Sequence, residues 1–394
     1  MGRFIPLSIP NFEGNEKKYV DDALEQGWVS TGGAYINELE KMLEDFLHVN
    51  SVCACQSGTS ALHLALIECE VVPGDMVIVP TLTFIAAVNP VKYQFANPIF
   101  MDCDDSLCMD PIKLRRFCQK ECEFDHGVLR YRKNGNPIKA IVVVHVFGNL
   151  ADMESIMEIA EAYNLKVIED STEALGTYYT VGKYAGMYAG TIGDFGAYSF
   201  NGNKIITTGG GGAVTAQNSV TVEHMRYKST QSKDDPYFYI HNEVGFNYRM
   251  TNLQAALGVA QMEKLPEFIE RKHKNYELYK KLFQNFELAE LLSFRNGVYS
   301  NQWFYSLKID RSKVSASMRE IIEKLQTKGV QTRAIWGLIH EQKPYIEDVV
   351  YEVEKALYYS ECILNIPAST QLTEDDVYFA AEQIKQVLEA FSNE

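Results

Sequence analysis

The sequence predicts an α/β fold: a large domain with a central, mostly parallel sheet, followed by a smaller α+β domain at the carboxyl end. Two observations carry that prediction. Between residue 51 and about residue 215, short β-rich runs alternate with helical stretches, and the runs are apolar on both faces. That is the pattern of a parallel sheet covered on both sides. After residue 250 longer helical segments take over, with one strand-like run among them. Residues 1–250 therefore form the large domain, its amino-terminal segment free to pack elsewhere, and residues 251–394 form the small one.

Taken in order, strands are expected at 51–55, 75–80, 98–102, 140–145 and 166–170, with helices at 61–70 and 153–163 between them. Such alternation implies right-handed crossovers, and a ligand crevice outside the carboxyl ends of the strands. Residues 103–139 break the rhythm, and Arg130-Tyr131-Arg132-Lys133-Asn134-Gly135-Asn136-Pro137 reads as a hairpin or loop insertion. Beyond 250, helices are expected at 254–264 and 268–286, in a long helical stretch near 251–286 that joins the domains. A strand at 302–309 and helices at 317–328 and 374–391 complete the small domain. No internal repeat or low-complexity segment is present.

At 394 residues, 46% hydrophobic and 23% charged, the chain is long enough to bury a sizeable core. Its 52 acidic residues outnumber 37 basic ones, leaving a net charge of −15. That balance argues against binding nucleic acid or an anionic membrane, both of which need a cationic face. An anionic substrate would have to be met by a few placed donors. The segment Met1-Gly2-Arg3-Phe4-Ile5-Pro6 lacks an apolar signal region, and no window approaches 18 consecutive apolar residues. The eight cysteines form no CxxC pair, so reduced thiols in a cytoplasmic protein are expected. His63, His145 and His340 stand isolated, without HxxxH or HExxH spacing, and no metal site is expected.

Three segments carry the chemistry. Gln56-Ser57-Gly58-Thr59-Ser60-Ala61-Leu62 follows a strand and opens a helix, where small residues and free N–H groups suit a phosphate. A simple helix cap would use the same residues. Glu169-Asp170-Ser171-Thr172-Glu173-Ala174 ends an apolar strand, so a carboxylate there can face the ligand crevice and accept from a protonated heterocycle, or cap the next helix. Ser199-Phe200-Asn201-Gly202-Asn203-Lys204 places one lysine between a β-rich run and Gly209–Gly212. Glycines permit close backbone approach, as a lysine forming a covalent imine requires; a surface loop is the plainer alternative. Together the three supply the parts for pyridoxal phosphate: an amine, an acidic partner for the ring nitrogen and a phosphate cup.

With Gly27–Gly32, Pro80–Ala86, His145–Gly148 and Gly245–Asn252 added, the chain resembles the DegT/DnrJ/StrS-type nucleotide-sugar aminotransferases over nearly its whole length. The resemblance implies the aspartate-aminotransferase fold, type I of the pyridoxal-phosphate enzymes, and pyridoxal 5'-phosphate as cofactor. It places Lys204 at the Schiff-base position, Asp170 at the ring nitrogen and Phe84 on the ring face. Gly58, Thr59 and Ser199 fall on phosphate ligands. Asn247 falls on a residue that reaches the phosphate across a homodimer interface, so shared active sites are implied. Trp28, Ser30 and His340 fall near the substrate, although packing or capping would also account for them.

Glu173 departs from the Gln or His of many relatives, near the phenolic oxygen of the cofactor. In this it resembles the subgroup that aminates UDP-linked 4-keto-6-deoxy-N-acetylhexosamines in bacillosamine and legionaminic acid synthesis, as do Asn201–Thr208. The implied reaction moves an amino group from L-glutamate to the 4-keto carbon of the nucleotide sugar, for bacterial surface glycans. Other nucleotides (GDP or dTDP), a 3-keto acceptor or a non-catalytic cofactor-binding regulator are the competing readings. A dehydratase of the same fold would carry His in place of Lys204.

Overall fold

The apolar runs assemble into one sheet in a computed structural model that describes residues 3–392; the outer ends of the two expected domains, 1–2 and 393–394, lie outside the described residues. In chain order, α1 (Glu16–Glu25) and α2 (Ala34–Leu47) precede β1 (Val52–Cys55), α3 (Gly58–Glu68), β2 (Met76–Pro80), α4 (Asn89–Tyr93) and β3 (Asn97–Met101). Then come α5 (Pro111–Lys120), β4 (Cys122–Asp125), β5 (Val128–Tyr131), β6 (Pro137–Val144), α6 (Met153–Tyr163) and β7 (Lys166–Asp170). The short β8 (Tyr178–Tyr179), β9 (Phe195–Ser199), β10 (Gly212–Ala216) and α7 (Ser219–Ser229) follow.

Across the sheet the order is β1-β10-β9-β7-β6-β2-β3. Strands β9, β7, β6, β2 and β3 pair in parallel, while β10 runs against both β9 and β1. The carboxyl ends of β1, β6, β7 and β9 therefore open on one edge, the site-forming edge of a parallel sheet. The interruption at 103–139 holds α5 and the β4–β5 hairpin; Arg130–Pro137 spans the turn from β5 into β6, which pair antiparallel.

The remaining elements are the hairpin β11 (Lys233–Asp235) and β12 (Ile240–His241), the helix α8 (Asn252–Phe283), and strands β13 (Ala289–Leu291), β14 (Val298–Tyr299) and β15 (Tyr305–Ile309). After them come α9 (Met318–Thr327), β16 (Arg333–Ala334), β17 (Val349–Tyr351), α10 (Lys355–Cys362), β18 (Ile363–Ile366) and α11 (Glu374–Ala390). A second, antiparallel sheet has the order β13-β15-β18-β16.

Several boundaries differ from the sequence reading for local reasons. Helix α3 starts three residues early, because Ser57, extended at φ −163°, accepts from the Ser60 N–H and caps it. The two helices expected at 254–264 and 268–286 are one, α8, running through Pro266. Proline costs a helix roughly 3 kcal/mol, but this one is packed against α1, α2 and α11 and opens with a Thr251–Gln254 capping box. The strand expected at 302–309 starts only at Tyr305.

Two segments cross between the sheets. Ile5 bridges Val330, and Leu7 is held by Gln331 and Ala368, so the first described residues lie on the small sheet's side. In return β17 adds to β3, in parallel, at the edge of the large sheet. Asp102, fully buried just past β3, ties this exchange down. It accepts from the N–H groups of Glu354, Lys355 and Ala356 and from Lys113 Nζ at 2.7 Å. Burial alone would raise its carboxyl; those donors hold it below the ordinary value. Asp102→Ala leaves three amides without their acceptor and Lys113 Nζ with only the Glu352 carbonyl and the Glu354 carboxylate, and should cost about 3–5 kcal/mol in denaturant unfolding. Because the carboxyl is lowered in the folded state, its contribution is complete above the ordinary carboxylate pKa and fades as pH falls through the lowered one. Acid sensitivity should accordingly shrink in the variant.

Candidate active site

A cleft of about 580 Å³ opens at the shared carboxyl edge, within the size range of small-molecule sites. Its floor begins at α3. Ser57 takes the Ser60 N–H at 3.0 Å, leaving the first-turn N–H groups of Gly58 and Thr59 without a partner among the described residues. Both residues line the cleft, as does Ser199 at the end of β9. A Cβ at Gly58 would stand 2.9 Å from Thr172 Cγ2 and 3.0 Å from Ser199 Cβ, so the backbone approaches its neighbours as only glycine allows.

Successive strand residues point to opposite faces, and the acids ending β7 obey that rule. Glu169 turns away from the cleft, where its carboxylate accepts from the N–H groups of Gly190, Ile192 and Gly193 and from His145 Nε2 at 2.8 Å. The Ala151 N–H donates to His145 Nδ1, which fixes the proton on Nε2. Asp170 turns into the cleft. It is 4% exposed, and its Oδ1 accepts from the Thr172 N–H at 3.1 Å. Burial raises its carboxyl, with Thr172 and Lys204 pulling the other way. Among the described residues no cationic donor is hydrogen-bonded to this buried acid, and a protonated ring nitrogen would supply one.

Lys204 lies on the loop between β9 and β10, its Nζ 3.6 Å from Glu173 Oε1 and 4.1 Å from the centre of the Trp303 ring. Glu173 Oε2 accepts from the Phe147 N–H at 2.8 Å. Burial pushes the Glu173 carboxyl up to about 7, against the pull of Lys204. Phe147 makes its contact from a left-handed backbone, φ 56°, a conformation that costs a bulky residue energy and is held by its surroundings. Phe84 lines the mouth and is 55% exposed.

Lys204, Asp170, Glu173, Gly58, Thr59, Ser199 and Phe84 thus converge on one cleft. Four other candidates lie elsewhere within the chain. Asn247 is exposed, next to its bridge with Thr230. The backbone carbonyls of Trp28 and Ser30 accept from Asn252. His340 Nδ1 meets Thr81 Oγ1 at 2.6 Å, and neither residue lines the cleft. Several wall residues escaped the sequence reading: Phe147, Trp303 and Arg333. Arg333 of β16 stands opposite Asn365 of β18, both on the cleft, and its guanidinium has no hydrogen bond or ion pair among the described residues. Only the Phe147 contact left a readable trace, in the His145–Gly148 segment.

The described residues contain no cluster of three metal-ligating side chains, no helix long and apolar enough to cross a membrane, and eight free, buried cysteines. The donor set instead fits pyridoxal phosphate: an amine on the cleft, a buried acid in want of a cation, and a helix start with spare N–H groups.

Comparison with known proteins agrees. The sequence model of the DegT/DnrJ/EryC1/StrS aminotransferase family matches residues 10–385. The GDP-perosamine synthases of Escherichia coli O157:H7 and Caulobacter vibrioides are each 34% identical to the chain, and in both cases the match covers 98% of either protein. Among solved structures, Helicobacter pylori PseC, an aminotransferase involved in pseudoaminic acid biosynthesis, has a TM-score of 0.88 at 22% identity, covering 99% of this chain and 100% of that one. The aminotransferase from Psychrobacter cryohalolentis has a TM-score of 0.85 at 25% identity, covering 98% and 99%. If the helix start holds the phosphate, Gly58→Ala must shift it and should weaken cofactor retention about tenfold or more on dialysis. Unchanged retention would remove that turn from the phosphate site.

Proposed function

The chain belongs to the DegT/DnrJ/EryC1/StrS aminotransferase family, pyridoxal-phosphate enzymes of the aspartate-aminotransferase fold, and on that premise we propose that it moves an amino group from L-glutamate to the 4-keto carbon of a nucleotide-linked 4-keto-6-deoxy sugar. The observation that carries this reading is the meeting of Lys204 with two buried acids in one cleft. The acceptor proposed first is UDP-4-keto-6-deoxy-N-acetylglucosamine, on the strength of Glu173 and the Asn201–Thr208 segment. A GDP-linked 4-keto sugar is the second reading, favoured by the names of the two synthases at 34% identity.

The roles proposed for the chain's own residues follow from their surroundings. Lys204 is the attachment point and, once its amine is released, the base that takes a proton from the donor's α-carbon. Asp170 holds a proton on the ring nitrogen. When bound, pyridoxal phosphate supplies an electrophilic carbon and a ring that accepts electrons from the carbon losing its proton. Gly58, Thr59 and Ser199 hold its phosphate, and Phe84 covers one face of the ring. Glu173 sits where a proton can pass to and from Lys204. Arg333 and Asn365 offer donors to a substrate anion or hydroxyl, and Arg333 brings local positive charge that a protein of net charge −15 must place deliberately.

The reading further includes a cytoplasmic homodimer in which the partner's Asn247 completes each phosphate site, and Trp28, Ser30 and His340 near the substrate. It also includes a division of the chain near residue 250.

The deciding assay supplies L-glutamate with a panel of UDP-, GDP- and dTDP-linked 4-keto sugars and detects the amino sugar by mass spectrometry. Turnover of the UDP-N-acetyl sugar supports the first reading and turnover of the GDP sugar the second; turnover of none rejects the function. Asp170→Asn should lower kcat by about a hundredfold or more, since a preorganised charge is lost at the ring. With Glu173 titrating at about 7, the rate profile should bend near neutral pH as its carboxyl gives up its proton. Glu173→Gln should flatten that bend while leaving those from other groups in place.

A further inference from the structure

Lys272 on α8 is a buried amine that no step above uses. It is 2% exposed, and no carboxylate faces it among the described residues: burial is the one cause acting on it, lowering it to about 7. Its Nζ donates to the Trp303 carbonyl at 2.6 Å and to the Ala368 carbonyl. Both acceptors are backbone carbonyls, which take hydrogen bonds from the amine in either protonation state. The Tyr305 ring lies 5.5 Å away, and the Tyr305 hydroxyl donates to the Lys272 carbonyl.

Both carbonyls belong to the cleft's frame. Trp303 is held at three points: its N–H donates to Asn301 Oδ1, its carbonyl accepts from Lys272, and its indole N–H donates to the Asn203 carbonyl at 2.8 Å. The same indole ring lies over Lys204 Nζ. Ala368 in turn donates its N–H to the carbonyl of Leu7, which lines the cleft beside Trp303.

We propose that Lys272 is a positioning residue: by gripping the Trp303 carbonyl it holds the indole face against Lys204 and so sets that amine's affinity for a proton. An aromatic face attracts the ammonium form, so a relaxed indole lowers the pH at which Lys204 loses its proton. Glu173 and Asp170 are the other groups acting on the Lys204 amine. They sit on the β7 side and do not depend on Lys272. The consequence for catalysis rests on the proposed role of Lys204 as attachment point and base; the readout chosen below does not.

The test is competitive acetylation of Lys204 across a pH series in the full chain freed of cofactor, read by peptide mass spectrometry, with thermal melting measured in parallel. Lys272→Met and Trp303→Leu should each lower the Lys204 midpoint by about half a pH unit or more, and the double variant should go no further. Lys272→Gln keeps two N–H donors and should stay nearer the parent value. A Lys272→Met protein that melts lower but keeps the parent midpoint would show a purely structural lysine and overturn the proposal. Additive shifts in the double variant would overturn it too. If Lys272→Met does not fold, Trp303→Leu with an unmoved midpoint is sufficient to reject it. Because acetylation needs no cofactor, a Lys204 that proved not to carry pyridoxal phosphate would still answer the question.

Discussion

Two carboxyl groups buried beside one amine set the terms for the rest of this molecule. Asp170 and Glu173 are nearly sealed from water, and burial pushes both toward their neutral forms. Lys204 is the cation that opposes this. Placing charge where water cannot screen it is costly unless partners are fixed in advance. The surrounding fold supplies that fixing: a strained Phe147 that aims an N–H at Glu173, the Thr172 amide on Asp170, and the Trp303 ring over the amine.

The sheet explains why these groups meet. Parallel strands β6, β7 and β9 all end at one edge, so His145–Gly148, Asp170 and Ser199–Lys204 emerge side by side although up to about 60 residues separate them. The reversed strand β10 turns the lysine loop back into the sheet. Glu169, one residue before Asp170, points the other way and is fully paired, so it stiffens the end of β7 from behind. The second sheet then closes the cleft with Arg333 and Asn365, joined by Trp303 from the segment leading into β15. Its hold on the first depends on Asp102 and on the exchange of residues 5–7 for β17.

Much of this was legible before any coordinates. The apolar runs at 75–80, 98–102, 140–145 and 166–170 mark β2, β3, β6 and β7 to within a few residues, because strands buried on both faces leave unbroken apolar stretches. The order helix start, acid, lysine marks one side of the cleft. Strand alternation would also have shown that Glu169 and Asp170 diverge. The opposite wall was not legible. Trp303 reaches Lys204 across about 100 residues, and nothing in local spacing announces that contact. Lys272 reads in sequence as one more charge on a helix face, and only packing against Trp303 and Ala368 reveals it as buried. The continuity of α8 through Pro266 belongs to the same class, since tertiary packing decided it against local propensity.

Everything turns on which amine carries the cofactor. Borohydride reduction of the yellow holoenzyme, followed by proteolysis and peptide mass mapping, reads that directly. The account predicts a single reduced pyridoxyl adduct on the peptide containing Lys204. An adduct on another lysine, or none after saturation with pyridoxal phosphate, would contradict it.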